Sequence, residues 1–583
     1  MIDSPRALID VRERLAVALR QAVQQFQSSD PNVALSVTPC QDLRFGDYQS
    51  SAAMLIAKST QQNPRELARL IINKLEVSDS CDKVEIAGPG FINFHLRSDF
   101  VSEQLSVISA DPNTGARKVG TPTTIVIDFS SPNIAKSMHV GHIRSTFLGN
   151  ALARITRAVG HHVITVNHLG DWGTQFGKLI YGYQHFLDKK MLAASPIAEF
   201  ERLYKETNTL SEKDPNILQG VRQELVKLQS GDPENLRIWK EISIQSLQEF
   251  QQTYQRLDIR FDHELGESFY NPQLPHVVEE LKKLGIARES EGAICIFFEN
   301  DPALAKTAPM IIQKADGGFL YATTDLAAFR YRADQWKANQ ILYVTDARQQ
   351  LHFKQLRTAA TQWFCALNKP APELQHIIFG SILGPDKKPI KTRSGEPIKL
   401  KDLLDEAESR AMKLVETKNP ELTEAEKKQA ARVIGLGALK YADLCQNRDL
   451  DYTFDWDKLL ALQGNTAPYL IYAYVRIQSI FRKEDAKILG GKFQLGTPEE
   501  TALGKHLIQF GDTLHAILKE YRPHLLTNYL YDLAVKFSKF YENCPVLKAE
   551  EPVRSSRLAL CHLTARTLKK GLDLLGIETL EKM

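Results

Sequence analysis

The chain is poor in cysteine, with seven in 583 residues, and none of them stands in a C-x-x-C pair. The spacing and the odd count argue against a zinc knuckle or a disulfide framework, and for reduced, mostly buried thiols in a cytosol-like compartment. Long apolar runs are also missing, and no stretch approaches the length of a membrane span. The first residues carry no apolar segment, and Asp3, Asp10 and Glu13 spoil a transit-peptide pattern. A cytoplasmic protein with no membrane contact is therefore expected. Charge of one sign is lacking as well: 73 Lys and Arg face 70 Asp and Glu, a formal +3. A polyanionic partner must then be met by local basic patches. No Walker A glycine-lysine pattern occurs, so a P-loop is not supported.

What is present is ordinary globular composition, 43% hydrophobic and 25% charged, in a chain too long for one core. Residues 5–28 repeat apolar positions with helical period, and "VALSVTP" and "KVEIAGPGFINFHL" read as strands around a helical "QSSAAMLIAKST". We expect an α+β domain over 1–115, with 111–123 as linker. "TIVIDFSS" (124–131) is a continuous apolar strand, followed by a helix with Ile143, Phe147, Leu148, Ala151, Leu152 and Ile155 on one face and a second strand in "HHVITVNHLGDWG". Strand, helix and strand in that order make a βαβ unit of a parallel sheet. Residues 185–290 are polar and read as a helical insertion. Strand signals return at "AICIFF", "GFLYATTD", "QILYVTDA" and "HIIFGSILG". The expected architecture is α/β: a Rossmann-type domain over 120–400, a helical connector over 401–454 and an all-α bundle over 455–583.

The chemistry concentrates in "SSPNIAKSMHVGHIRSTFLGNAL" (130–152), at the carboxyl end of the first strand. Doubly wound sheets bind nucleotides there. His139 and His142, three apart at a helix start, can donate to phosphate oxygens beside the positive end of the helix dipole. Gly141 lets a flat base approach the backbone, and Lys136 supplies a mobile cation for a triphosphate. Two plainer readings compete. The pair could be half a metal site, although no third ligand accompanies it, or the two histidines could simply cap a helix.

The stretch resembles the HIGH signature of class I aminoacyl-tRNA synthetases, in the form carried by arginyl-tRNA synthetases. Further segments are similar to that family in the same order: "AGPGFINFHL", "NHLGDWGTQFG", "LYATTDLA", "DARQQLHF", "KTRSGEPIKLKDLLDEA", "GNTAPYLIYAYVRI" and the tail "RLALCHLTARTLKKGLDLLGI". The second class I signature, KMSKS, is replaced here by "KKPIKTRSGE", which lacks the final lysine. In the family such departures accompany a lysine just before the HIGH sequence, as Lys136 stands here. Segment 376–402 still holds six Lys or Arg against three Asp or Glu. Lys391 and Arg393 are the expected ATP contacts in it, with Lys387 and Lys388 nearby; a solvated loop is the plainer reading.

A guanidinium has five donors in a plane and wants carboxylates and carbonyl-type acceptors. Asp128, Asn133, Tyr321, Asp325 and Gln349 all fall at expected strand ends. The resemblance implies that Ser131 and Asn133 touch the amino-acid end of the substrate, and that Tyr321, Asp325 and Gln349 hold its side chain. Asp325 has a rival role as N-cap of a helix "DLAAFRYRA", and Asp171 in "GDWG" reads as structural. In the C-terminal bundle Tyr469, Arg476, Tyr529 and Arg557 are candidate RNA contacts, since unpaired bases are read by stacking and edge hydrogen bonds. The resemblance makes this bundle an anticodon-binding domain and the first 115 residues a tRNA-elbow domain. It implies an enzyme that joins L-arginine to tRNA(Arg) using ATP with Mg²⁺, with no zinc and no organic cofactor, acting as a monomer. The alternative is a non-catalytic tRNA-binding paralogue.

Overall fold

The structure, a computed structural model, describes residues 8–24, 36–40, 43–390, 397–484 and 492–583. Its centre is a five-stranded parallel sheet of β1 (Thr124–Asp128), β2 (His162–Leu169), β3 (His263–Gly266), β4 (Gln340–Asp346) and β5 (Glu373–Phe379). The spatial order is β5-β4-β1-β2-β3. Chain order reverses between β1 and β4, which makes their carboxyl ends the switch point where such sheets bind ligands. β1 pairs with β2 from Thr124↔His162 to Asp128↔Val166, and with β4 from Ile125↔Gln340 to Asp128↔Tyr343. The apolar run in β1 is explained by cover on both faces: Val126 packs in one core cluster, Ile125 and Ile127 in another.

Helix α1 (Ile143–Ala158) follows β1 and is almost wholly buried. The polar stretch between β2 and β3 forms helices that include α2 (Pro196–Lys213) and α3 (Pro233–Arg256). Each begins with Pro in the first turn, and the Asp232 carboxylate caps α3 by accepting from the Glu234 and Asn235 N–H groups. After β3 come a small antiparallel sheet (Ala287–Ser290, Ala293–Ile296, Met310–Gln313), α4 (Tyr321–Asp334) and α5 (Gln350–Ala366).

Two sequence expectations change here, and one expected strand falls in a second sheet. The insertion does not run to 290, because "HELG" is the edge strand of the main sheet. It is short and mixed in polarity, as an edge strand tolerates. "AICIFF" joins the small antiparallel sheet. "GFLYATTD" is no strand, since α4 begins at Tyr321. Val and Ile are absent from that stretch, and one face of α4 goes into the core at Ala322, Leu326 and Phe329.

The N-terminal part is a four-stranded antiparallel sheet flanked by helices. The C-terminal part is helical as expected, apart from the short strand Tyr452–Thr453 beside Ile382–Leu383. It includes α6 (Glu424–Leu444), opened by a Thr423–Glu426 capping box, and α7 (Ala467–Glu484). Buried and half-buried polar bonds tie the parts together. The Tyr48 hydroxyl donates to Asp512 Oδ2 (3.1 Å), Arg117 pairs with Asp512 and Asp10, and Lys505 pairs with Asp47 at 2.8 Å. The fully buried Arg144, in α1, donates to Asp443 Oδ1 of α6 at 2.8 Å.

Candidate active site

The turn after β1 is held in an unusual shape. Ser130, Ser131 and Ala135 have φ of 73°, 50° and 63°, in the left-handed region. Such residues cost about 1–3 kcal/mol each and persist only when neighbours fix them. The neighbours are specific. The Ser130 N–H donates to Ser145 Oγ (2.8 Å), and the Ser131 N–H donates to Asn167 Oδ1 (3.1 Å). The Ala135 N–H donates to Ser246 Oγ (3.0 Å), and the Ser137 N–H to Glu201 Oε1 (2.7 Å). Asn133 lies so close to the next loop that a Cβ on Gly170 would fall 2.1 Å from its Oδ1.

Of the readings given for the two histidines, the structure shows the helix cap. The His139 N–H donates to His142 Nδ1 (3.1 Å), and the Gly141 N–H donates to His139 Nδ1 (3.1 Å). They therefore cap the turn that opens α1, with ring centroids 4.1 Å apart. Accepting at Nδ1 fixes each neutral ring in the Nε2–H tautomer, so Nε2–H stays available as a donor. Burial, with Lys136 adding repulsion, lowers the His139 pKa, and burial with His139 beside it pushes His142 down to about 3. Both are neutral donors at pH 7. Gly141 is required partly by this turn, since a Cβ there would meet His139 Nδ1 at 2.9 Å.

A cavity of about 890 Å³ opens at the switch point. Asp128, Ser131, Asn133, His139, Gly141 and His142 line it from the β1 side, and Tyr321, Asp325 and Gln349 from the other. Asp325 is not an N-cap: Leu320 holds that position, and Asp325 sits a turn inside α4. His352 Nε2 lies 2.6 Å from Asp325 Oδ2, with the Tyr321 ring edge-on to the imidazole at 4.9 Å. Asp128 departs from its expected role as an arginine ligand. Arg332, fully buried, donates to Asp128 Oδ2 (2.6 Å), and the Ser131 hydroxyl donates to Oδ1 (3.1 Å). Its charge is already matched within the protein.

Sequence reasoning missed Glu267. It follows β3 directly and lines the cavity. Burial, with the Asp325 and Asp171 carboxylates nearby, pushes its pKa up to about 8. Asp171 is structural as expected, accepting from Ser268 N–H (2.9 Å) and hydroxyl (2.6 Å). His352 was missed as well; the signal that could have found it is its spacing, three residues after Gln349.

Lys136 stays outside this cavity lining. It is exposed, its ammonium 5.1 Å from the centre of the Tyr204 ring on α2. Lys391 and Arg393 fall outside the described residues; Lys387 and Lys388 lie in an exposed turn before them. The segment beyond is anchored to the histidine turn, where the Val140 N–H donates to Ile398 O (2.9 Å) and the Leu400 N–H to Met138 O (2.8 Å). Among the described residues no group of three or more His, Cys, Asp or Glu is arranged to hold a metal ion.

In the bundle the four candidate RNA contacts divide. Tyr529 is buried, stacked on His506 at 4.4 Å, with its hydroxyl donating to His506 O (3.1 Å). Arg557 donates to Glu500 Oε1 (2.6 Å) and Pro545 O (2.9 Å). Both expectations are corrected, since each side chain is spent on internal packing. Tyr469, half-buried, lies on α7 with its ring 5.8 Å from that of Tyr531, and Arg476 lies over the Tyr541 ring at 4.7 Å. Tyr472 on the same helix is 47% exposed.

Strand order, the left-handed turn and the paired histidines define the catalytic domain of a class I aminoacyl-tRNA synthetase. Residues 104–456 match the family described as tRNA synthetases class I (R), catalytic domain. Residues 11–96 match the arginyl tRNA synthetase N terminal domain, and 470–583 the DALR anticodon binding domain. The chain belongs to the arginyl-tRNA synthetase family. It is 47% identical over 554 residues to an arginine–tRNA ligase of Hahella chejuensis, covering 94% of this chain and 95% of that protein. A second arginine–tRNA ligase, from Proteus mirabilis, is 47% identical over 93% of this chain and 94% of its own length. The arginyl-tRNA synthetase structure from Plasmodium falciparum superposes with a TM-score of 0.85 at 30% identity, covering 99% of this chain and all of that one. The Thermus thermophilus enzyme, at 24% identity, shares the fold with a TM-score of 0.83.

Proposed function

We propose that the switch-point cavity activates L-arginine with ATP and then passes it to tRNA(Arg), as befits the arginine–tRNA ligase that its relatives make this chain. The observation that carries the site assignment is the pairing of two neutral histidine donors with two carboxylates, Asp325 and Glu267, at one switch point. The guanidinium of arginine goes to Asp325, Glu267 and Gln349, with Tyr321 closing over it. Ser131 and Asn133 take its amino-acid end. ATP lies against Gly141, and His139 and His142 donate from Nε2 to the triphosphate as charge builds on the phosphorus under attack. Neutral donors suit this role, because they stabilise developing charge without holding pyrophosphate as a full ion pair would. Mg²⁺ enters with ATP as part of the substrate complex, and Lys136, Lys391 and Arg393 supply cations to it.

The chemistry is orientation and electrostatics, with no covalent enzyme intermediate. The arginine carboxylate attacks the α-phosphorus, pyrophosphate leaves, and the terminal adenosine of the tRNA then takes the arginyl group as AMP departs. Tyr469, Tyr472 and Arg476 on α7 contact the anticodon, and the N-terminal domain contacts the elbow. We place the enzyme in the cytoplasm as a monomer; among the described residues no helix is long and apolar enough to cross a membrane. The relatives lend no support to a non-catalytic paralogue. Arginine-dependent ATP–pyrophosphate exchange, with and without tRNA(Arg), tests the reading. Exchange that requires tRNA is expected, and no exchange with all substrates present would sink it.

A further inference from the structure

The helical insertion does more than decorate the sheet. Three contacts bind it to the loop that carries Lys136. From α3, Ser246 Oγ accepts the N–H of the left-handed Ala135 (3.0 Å). From α2, Glu201 Oε1 accepts the Ser137 N–H (2.7 Å), and the Tyr204 ring receives the Lys136 ammonium at 5.1 Å. Lys136 is thus flanked on both sides by backbone N–H groups held from the insertion. The other oxygen of Glu201 pairs with Lys399 Nζ at 3.4 Å. Lys399 is bridged to His139 through the main chain. One carboxylate therefore touches the loop before the histidine turn and the segment tied to that turn from the far side. Glu249 of α3 also meets the Ser137 hydroxyl, so the loop rests on two acidic side chains of the insertion.

We propose that Glu201 is a positioning residue for adenylate formation. It fixes the backbone root of Lys136 at Ser137, so that the ammonium swings from its rest on Tyr204 into the triphosphate, and it holds the 398–400 segment in the same frame. This rests on the reading of Lys136 as the phosphate cation. The side chain can reach two places only if its root stays still, and the positive φ at Ala135 makes that root dependent on outside support. Tyr204, half-buried, supplies a weak resting site: a single cation–π contact holds an ammonium less firmly than the charged oxygens of a triphosphate do.

The test is pyrophosphate exchange in the presence of tRNA(Arg), with ATP and arginine varied separately. Losing a hydrogen bond to a charged acceptor should lower kcat/KM for ATP in Glu201→Ala roughly tenfold to a hundredfold, with KM for arginine unchanged. Glu201→Gln, whose amide oxygen can still accept from Ser137, should recover most of the loss. Glu201→Ala combined with Lys136→Ala should be no worse than Lys136→Ala alone, because the two act through one group. Equal losses for ATP and arginine, or full multiplication in the double variant, would overturn the proposal. Normal exchange in Lys136→Ala would instead sink the reading of Lys136 itself. Should Glu201→Ala fail to fold, Glu201→Asp, one methylene short of Ser137, must show the same selective ATP defect, and normal ATP dependence in it would equally overturn the role.

Discussion

His352 Nε2 approaches Asp325 Oδ2 to 2.6 Å, which holds the carboxylate by one oxygen and leaves the second for a ligand. A guanidinium wants two parallel acceptors. With one Asp325 oxygen committed, the second acceptor must come from a neighbour, and Glu267 is the carboxylate that lines the same cavity.

Asp325→Ala should therefore raise KM for arginine by about 2–5 kcal/mol in free-energy terms, because it strands a desolvated cation. KM for ATP should hardly move. Citrulline, of the same shape without the charge, should compete poorly against wild type and comparatively better against the variant. Steady-state exchange with both ligands measures this, and a variant that still prefers arginine as strongly as wild type would exclude Asp325 from the guanidinium site.

Glu267 gives the site a pH dependence. Its carboxyl is held up at about 8 by burial and by its acidic neighbours, so at pH 7 it is largely protonated. A guanidinium favours the ionised form, so binding below pH 8 must expel the proton. KM for arginine should fall as pH rises from 6.5, by up to about tenfold per unit, and level off above 8. Glu267→Gln should bind arginine more weakly and lose that slope. A flat wild-type profile across this range would contradict the coupling.

His142 makes the fold acid-sensitive. In the unfolded chain it titrates near 6.5, whereas burial holds it down at about 3 in the native turn. The unfolded state therefore binds a proton that the folded state refuses. Its contribution is fully present above pH 6.5 and is lost as pH falls toward 3, the loss reaching about 2 kcal/mol at pH 5. Urea denaturation at pH 7.5 and pH 5 should show a smaller drop for His142→Gln than for wild type. The same neutrality predicts no fall in adenylate formation from His142 protonation between pH 8 and 6.

On the bundle, Tyr472→Ala should weaken tRNA(Arg) binding by about 1–3 kcal/mol if its exposed ring stacks on a base, with melting unchanged. Tyr529→Phe should do the reverse, costing about 1 kcal/mol of stability through its lost hydrogen bond to His506 O. Filter binding and thermal melting of both variants separate surface from core. A Tyr529→Phe variant that loses tRNA but melts normally would reverse the assignment.

The interior of the catalytic sheet was legible in sequence, because strands covered on both faces must read as apolar runs such as "TIVID" and "QILYV". The edge strand "HELG" was not, and Glu267 was lost with it, since a four-residue polar strand carries no period to detect. "LYATTD" misled for the opposite reason: tyrosine and threonine favour strands, yet burial of Ala322, Leu326 and Phe329 on one face makes it helical. The histidine pair was found through its spacing. Its neutral state was not, because that comes from burial and from the reciprocal Nδ1 bonds. Tyr529 and Arg557 could not be told from surface residues without knowing that His506 and Glu500 lie against them.

The buried and half-buried bonds between the two ends of the chain have a mechanical consequence. Tyr48 and Arg117 meet on Asp512, Lys505 reaches Asp47, and Arg566 donates to the carbonyls of Ser109 and Asp111, each at 2.5 Å. Such an interface does not slide. On the proposed reading, an RNA held at its elbow by one end of the chain and at its anticodon by the other would meet a caliper whose jaws these bonds hold at one opening. On that reading an RNA of the wrong length or bend would be refused by the frame, whatever its bases say, and one that fits would do the bending itself to bring its 3′ end to the histidine turn.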